Sequence, residues 1–166
     1  MDKKVIGLLI ISIISVVFVS GCIGEDGLEL YENQYLSFKF SENFTQTTAN
    51  PDRTHIVYDR FEDYEKNEVI FVQIWKTNSS FDDMYDFWER TERQKNYTLD
   101  YASKKVIING VPSIRESIQY ENTTYKYRIS MSFVKNGFVY AISFSGDDLQ
   151  SLESHYDTVA STIEIK

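Results

Sequence analysis

The pattern of apolar and polar positions divides the chain into two unlike parts. Val5–Val19 is one uncharged, mostly apolar run, preceded by Lys3 and Lys4 and followed by Ser20, Gly21 and Cys22. From residue 28 onward the pattern breaks into short stretches separated by polar turns. Alternation with period two marks strands with one buried face, whereas recurrence at three and four residues marks helices. Leu28–Tyr31 and Tyr35–Phe40 read as strands, the second with Leu36, Phe38 and Phe40 on one side. Ser41–Pro51 reads as a polar loop, with a turn at Asn50-Pro51 because proline disfavours helix in the residue before it. Thr54–Phe61 and Val69–Trp75 follow, joined by the charged turn Glu62–Glu68. Nearly every position of Val69–Trp75 is apolar, which places it centrally in a sheet with both faces covered.

Ser80–Lys95 reads as a helix. Ser80 is placed to cap it, Asp82 and Asp83 suit its positive end, and Arg90, Arg93 and Lys95 suit the other. Phe81, Met84, Tyr85 and Trp88 form its packing stripe. Leu99–Ile108, Val111–Tyr120, Tyr125–Lys135 and Phe138–Ser145 are four successive antiparallel strands. Asn109-Gly110 and Asn136-Gly137 join the first and last pairs as tight hairpins, whose two turn residues both need positive φ. A last helix opens at Gly146-Asp147-Asp148 and runs to about Ile163, with Leu149, Leu152, Tyr156, Val159, Ala160 and Ile163 toward the sheet. Ile163–Lys166 reads as a short edge strand. The expected class is α+β, an antiparallel β-sheet with helices packed against it.

The leader has the form of an export signal. Its apolar run of about 15 residues is short for a helix that needs about 20 to cross the hydrocarbon. Val19-Ser20-Gly21-Cys22 resembles a lipobox, the recognition sequence in which the cysteine of a prokaryotic lipoprotein is lipidated. Cys22 is the single cysteine, so an exported domain has no internal disulfide, and lipidation consumes the thiol. An uncleaved signal anchor and a released secreted product stand beside this reading; all three give the same side of the membrane. The organisation is a signal peptide and lipobox at 1–22, a tether at 23–27 of at most about 18 Å, and one domain at 28–166. The expected location is extracytoplasmic, on the outer face of the cell membrane.

Charge narrows the partners. The whole chain carries −8, and without Lys3, Lys4 and Asp2 the remainder holds 15 basic and 24 acidic residues, a net −9. No basic cluster suited to phosphates is present, which argues against nucleic acid. An acidic body is repelled by an anionic bilayer, so membrane contact belongs to the N-terminus. Sequons occur at Asn43, Asn78, Asn96 and Asn122 and make these candidate glycosylation sites. Aromatics are abundant, with 12 Tyr, 11 Phe and 2 Trp. Tyr58, Tyr64, Tyr101, Tyr125 and Tyr127 are the hardest to bury together and form the candidate partner surface, since tyrosines stack on sugars or anchor proteins.

Catalytic chemistry finds little support. His55, in a strand, has only Asp52 and Asp59 as prospective co-ligands; His155, on the last helix, reads as a surface residue. Neither has the second histidine or cysteine pair of a zinc site. Glu62-Asp63, Asp82-Asp83 and Asp147-Asp148 lack the spacing of a calcium loop, and two of these pairs serve helix starts. Neither a glycine-rich phosphate loop nor a Gly-x-Ser-x-Gly elbow appears. The expectation is no enzyme, no metal and no cofactor.

From about residue 30 to 166 the order of elements resembles the PsbP family, including its prokaryotic lipoprotein relatives of unassigned role. Tyr31 and Phe38-Lys39-Phe40 look like its opening strand pair, although Glu42 and Phe44 stand where the family usually carries Pro and Trp. Ile108-Asn109-Gly110-Val111-Pro112 looks like its central hairpin. Gly137–Phe144 resembles its penultimate strand, and Tyr156 with Ile163-Glu164-Ile165 its closing helix and tail. The resemblance implies a PsbP-like α/β sandwich and a binding or assembly role, and carries over no functional residue. The expected function is a non-catalytic, membrane-anchored surface lipoprotein that binds a protein or an envelope component. Alternatives are a small-molecule or solute-binding accessory to a membrane system, or an envelope structural protein.

Overall fold

The structure, a computed structural model, describes residues 27–47, 54–93, 98–121 and 123–166. The signal peptide, the lipobox with Cys22, the tether up to Asp26, Asp52, Asn96 and Asn122 lie outside the described residues. In chain order the elements are β1 (Leu28–Glu32), β2 (Leu36–Ser41), β3 (Thr45–Thr47), β4 (Val57–Asp63), β5 (Glu68–Lys76), α1 (Phe81–Arg93), β6 (Thr98–Ile108), β7 (Val111–Tyr120), β8 (Tyr127–Lys135), β9 (Phe138–Gly146), α2 (Leu149–Thr162) and β10 (Glu164–Ile165). Seven strands form one antiparallel sheet in the order β3-β4-β5-β9-β8-β7-β6, and β1-β2-β10 form a smaller one.

Local chemistry sets the turns. Asn109 and Gly110 have φ of 46° and 77°, and Asn136 and Gly137 have 53° and 76°, as two-residue hairpins require. In the β4–β5 turn Asp63 Oδ1 accepts the amides of Glu65 and Lys66 at 3.0 and 3.1 Å, and Asn67 closes it at φ 54°. Asp148 caps α2, its Oδ1 accepting the Gln150 amide at 3.0 Å. The short closing strand β10 pairs antiparallel with β2, Glu164 opposite Ser37. At the other end of β2, Leu28 lies opposite Ser41 and the Gly27 carbonyl accepts the Glu42 amide at 3.1 Å.

The core lies between the two sheets. Phe61, Ile70, Val72, Ile74, Ile129, Met131, Phe133, Tyr140, Ile142 and Phe144 cover the inner face of the large sheet, each 1% exposed or less. The small sheet contributes Tyr31, Leu36, Phe38 and Phe40, and α2 with its C-cap contributes Leu152, Tyr156, Val159 and Ile163. Tyr31 and Phe40 meet Phe61 with ring centroids 5.5 and 4.9 Å apart. Burial of each such side chain contributes about 1.5–3 kcal/mol.

Helix α1 lies on the opposite, outer face, over β6 and β7. Tyr85 Oη is 3.2 Å from Ser103 Oγ, and Lys105 Nζ is 2.6 Å from Asp82 Oδ1. Phe71, Gln73 and Trp75 of β5, three strand positions from β7, stay half-buried. This corrects the expectation for Val69–Trp75: the strand is interior, but only its inner face is fully covered. Two further corrections concern elements. Thr45–Thr47, inside the expected loop, pairs with Glu62, Phe61 and Arg60 as β3. Leu149, expected on the packing face of α2, is 37% exposed because it is the first helical residue and precedes the contact with the sheet.

Candidate functional site

Strand alternation assembles a file of rings on the outer face. Tyr58 lies opposite Gln73, and Arg60 opposite Phe71, so period two puts Tyr58, Arg60, Phe71, Gln73 and Trp75 on one side. Tyr58 and Phe71 have centroids 6.0 Å apart, and the Arg60 guanidinium stands 5.4 Å above the Phe71 ring while pairing with Glu62. His55, two residues before β4, touches both Tyr58 and Trp75 at 5.5 Å, and Trp75 meets Trp88 of α1 edge-on at 6.4 Å. The rings therefore run as one chain of contacts from β4 across β5 to the helix, each half-buried.

At the helical end the file opens into a groove of about 640 Å³ between the end of β5 and α1. Trp75, Met84, Phe87 and Trp88 supply its apolar surface, with Phe87 54% exposed. Thr77, Ser79, Asp83, Asp86 and Arg90 give polar groups around it. The connecting loop is fixed by the chain itself. The Thr77 amide donates to the Gly137 carbonyl at 2.9 Å, and the Ser79 amide to Thr77 Oγ1 at 3.0 Å. Ser80 Oγ donates to Asp83 Oδ2 at 2.7 Å and accepts the Asp83 amide at 3.1 Å, which starts α1. The Ser80 hydroxyl and the Ser80 amide, which donates to the same Oδ2 at 3.2 Å, hold the Asp83 carboxyl below its ordinary range.

The five candidate tyrosines do not share one surface. Tyr58 belongs to the ring file. Tyr64 projects from the β4–β5 turn, 71% exposed. Tyr101 is on the outer face but on β6, five strand spacings from β4, or about 24 Å. Its hydroxyl donates to Glu116 Oε1 at 2.9 Å, and Ser130 Oγ donates to Glu116 Oε2 at 2.9 Å. Burial first, and then Glu116, push the Tyr101 hydroxyl well above its ordinary range. Tyr127 packs against the inner core instead, and Tyr125 precedes β8, half-buried. Of the candidate glycosylation sites, Asn43 follows β2 and Asn78 follows β5, both exposed.

The sequence reading missed His55, Phe71, Trp75 and Trp88 as neighbours of Tyr58. The signal was present in part: alternation alone puts Phe71 and Trp75 on one face of β5, whereas the approach of Trp88 depends on how α1 crosses the sheet. His55 points toward this aromatic cluster, while Asp59 lies on the inner-face register and accepts the Tyr31 hydroxyl at 2.5 Å. His155 needs a correction. Its Nε2 is 2.9 Å from Glu68 Oε2, Phe44 abuts the imidazole edge-on at 5.0 Å, and the His155 side chain is 13% exposed. Ser151 Oγ, at 3.4 Å, approaches the same Nε2. A serine–histidine–acid relay uses both ring nitrogens, so this is a packing pair and not a nucleophile setting. Among the described residues no three His, Cys, Asp or Glu side chains gather as a metal site.

The fold is PsbP-like. The solution structure of cyanobacterial PsbP (CyanoP) from Synechocystis sp. PCC 6803 superposes with a TM-score of 0.60 at 13% sequence identity, covering 88% of this chain and 96% of that one. No family model and no curated protein matches the sequence.

Proposed function

We propose that this chain is a non-catalytic binding module of the cell exterior, held at the membrane by its N-terminus, that engages a protein or envelope component through the outer face of β4 and β5. The observation that carries this reading is the continuous ring file Phe71–Tyr58–His55–Trp75, with Arg60 at its Phe71 end. Aromatic and arginine side chains that are half-exposed together are the composition of binding hot spots, because they bury much area while losing few rotamers. The PsbP-like fold is in keeping with such a role, and the leader supports the compartment.

Crosslinking on intact cells, followed by capture of the full-length protein from native membranes, tests the surface. Tyr58→Ala with Phe71→Ala should reduce capture of the crosslinked partner by about 30-fold, the loss expected for a hot-spot truncation of roughly 2 kcal/mol. Unchanged capture by a folded double variant overturns the assignment of this face. Fractionation with mass spectrometry of the mature N-terminus tests the mooring: a membrane-bound chain with a lipid-bearing residue 22 is expected, and cytosolic material with Met1 intact and a free thiol at Cys22 refutes it.

A further inference from the structure

The sequon Asn78-Ser79-Ser80 is built into the rim of the groove. Thr77 and Ser79, which flank Asn78, both line it, and Asn78 itself is exposed. The loop holding them is anchored at Thr77 and at Ser80, so a group joined to Asn78 starts between two residues of the lining. The groove has the chemistry of a saccharide seat. Trp75, Trp88 and Phe87 offer ring surface, whose negative faces attract the C–H side of a pyranose. Thr77, Ser79, Asp86 and Arg90 provide acceptors and donors for hydroxyls around it. At about 640 Å³ it is in the range of small-ligand sites.

We infer that Asn78 carries an N-linked saccharide that folds back onto Trp75, Trp88 and Phe87 and occupies this groove. In the transfer, Asn78 Nδ2 bonds to the anomeric carbon of a polyprenyl-phosphate-linked saccharide. The bond from that carbon to the phosphate oxygen breaks, the polyprenyl phosphate leaves with its electron pair, and the amide gives up one proton. The acceptor pattern requires a hydroxyl at its third position. In the folded chain the Ser80 hydroxyl is engaged by Asp83 at 2.7 and 3.1 Å. The saccharide covers the Trp88 end of the file and leaves Tyr58, Phe71 and Arg60 to the partner.

The two tryptophans of the chain are both in this groove, so their fluorescence reports on it alone. Full-length protein purified from its native membranes is analysed by glycopeptide mass spectrometry and by acrylamide quenching. The peptide containing Asn78 is expected to carry a saccharide, lost in Asn78→Gln and Ser80→Ala and kept in Ser80→Thr. Quenching should rise about two-fold in Asn78→Gln, since a sugar covers one face of each ring, and stay at the wild-type level in Asn43→Gln. An unmodified Asn78 overturns the proposal. A modified Asn78 with equal quenching in wild type and Asn78→Gln overturns the seating.

Discussion

At the scale of single residues, Glu68 and His155 join the start of β5 to α2. Glu68 is 2% exposed, and its visible partner is the His155 imidazole on α2. Removing one member of a buried pair leaves the other desolvated and unpaired, at a cost of about 3–5 kcal/mol. His155→Ala should lower the urea midpoint accordingly, and adding Glu68→Gln should return part of the loss. The partners are separated by 87 positions, and nothing local to His155 signals the contact; hence its misreading as a surface residue. Tyr156 makes a pH prediction. Burial, with Asp157 and Glu153, pushes its hydroxyl up to about 12 against the lowering effect of Arg115. The unfolded chain releases that proton near pH 10. The fold prefers the neutral phenol, so its contribution is whole below about pH 10 and is lost as pH climbs from there toward 12. Tyr156→Phe should flatten this part of the stability profile, measured as urea midpoints from pH 9 to 12.

At the scale of elements, the hairpins were the most legible feature, because an Asn-Gly pair needs no tertiary help to favour positive φ. Gly110 shows the cost of that conformation cleanly. A Cβ there meets nothing within 4 Å, so Gly110→Ala should cost only the left-handed backbone penalty, about 1–2 kcal/mol in thermal unfolding. Gly146 is the opposite case, with ordinary φ and no room. Its Cβ would stand 2.9 Å from Glu68 Cγ, and Gly146→Ala should cost about 1–3 kcal/mol by displacing the buried carboxylate. Strand β3 was not legible: Thr45-Gln46-Thr47 has no apolar alternation and is a strand only because β4 offers it a ladder. The half-open outer face of β5 was hidden for a related reason. Phe71 and Trp75 are apolar enough to predict cover, yet α1 settles over β6 and β7 instead.

At the scale of the molecule, the two ends of the described chain close the small sheet together. The Lys166 amide donates to the Tyr35 carbonyl at 2.9 Å, and its Nζ reaches Glu32 at 2.5 Å. Ile163, 1% exposed, is the last core side chain. Deleting residues 163–166 should cost about 2–5 kcal/mol, the loss of one large buried aliphatic group with its cavity, visible as a lower Tm. The sandwich and its class were readable from alternation, since inward residues repeat faithfully along β5, β8 and β9. The surface was less so. Five tyrosines chosen by type were dispersed over two faces and a turn, because type says how much area a ring offers and only register says where.

The point where the described chain enters the fold and the tryptophan groove stand at opposite ends of β5. Gly27 sits beside Glu42, and Phe44, two residues on, packs against the histidine that holds the first residue of β5. The tryptophan groove lies past the last residue of that same strand, nine residues away, or about 25–30 Å at the strand's rise. Under the mooring proposed above, the rings therefore stand at the pole of the domain away from residue 27. On that proposal the length of β5 sets the separation, and a longer tether should leave encounters with large neighbours unchanged.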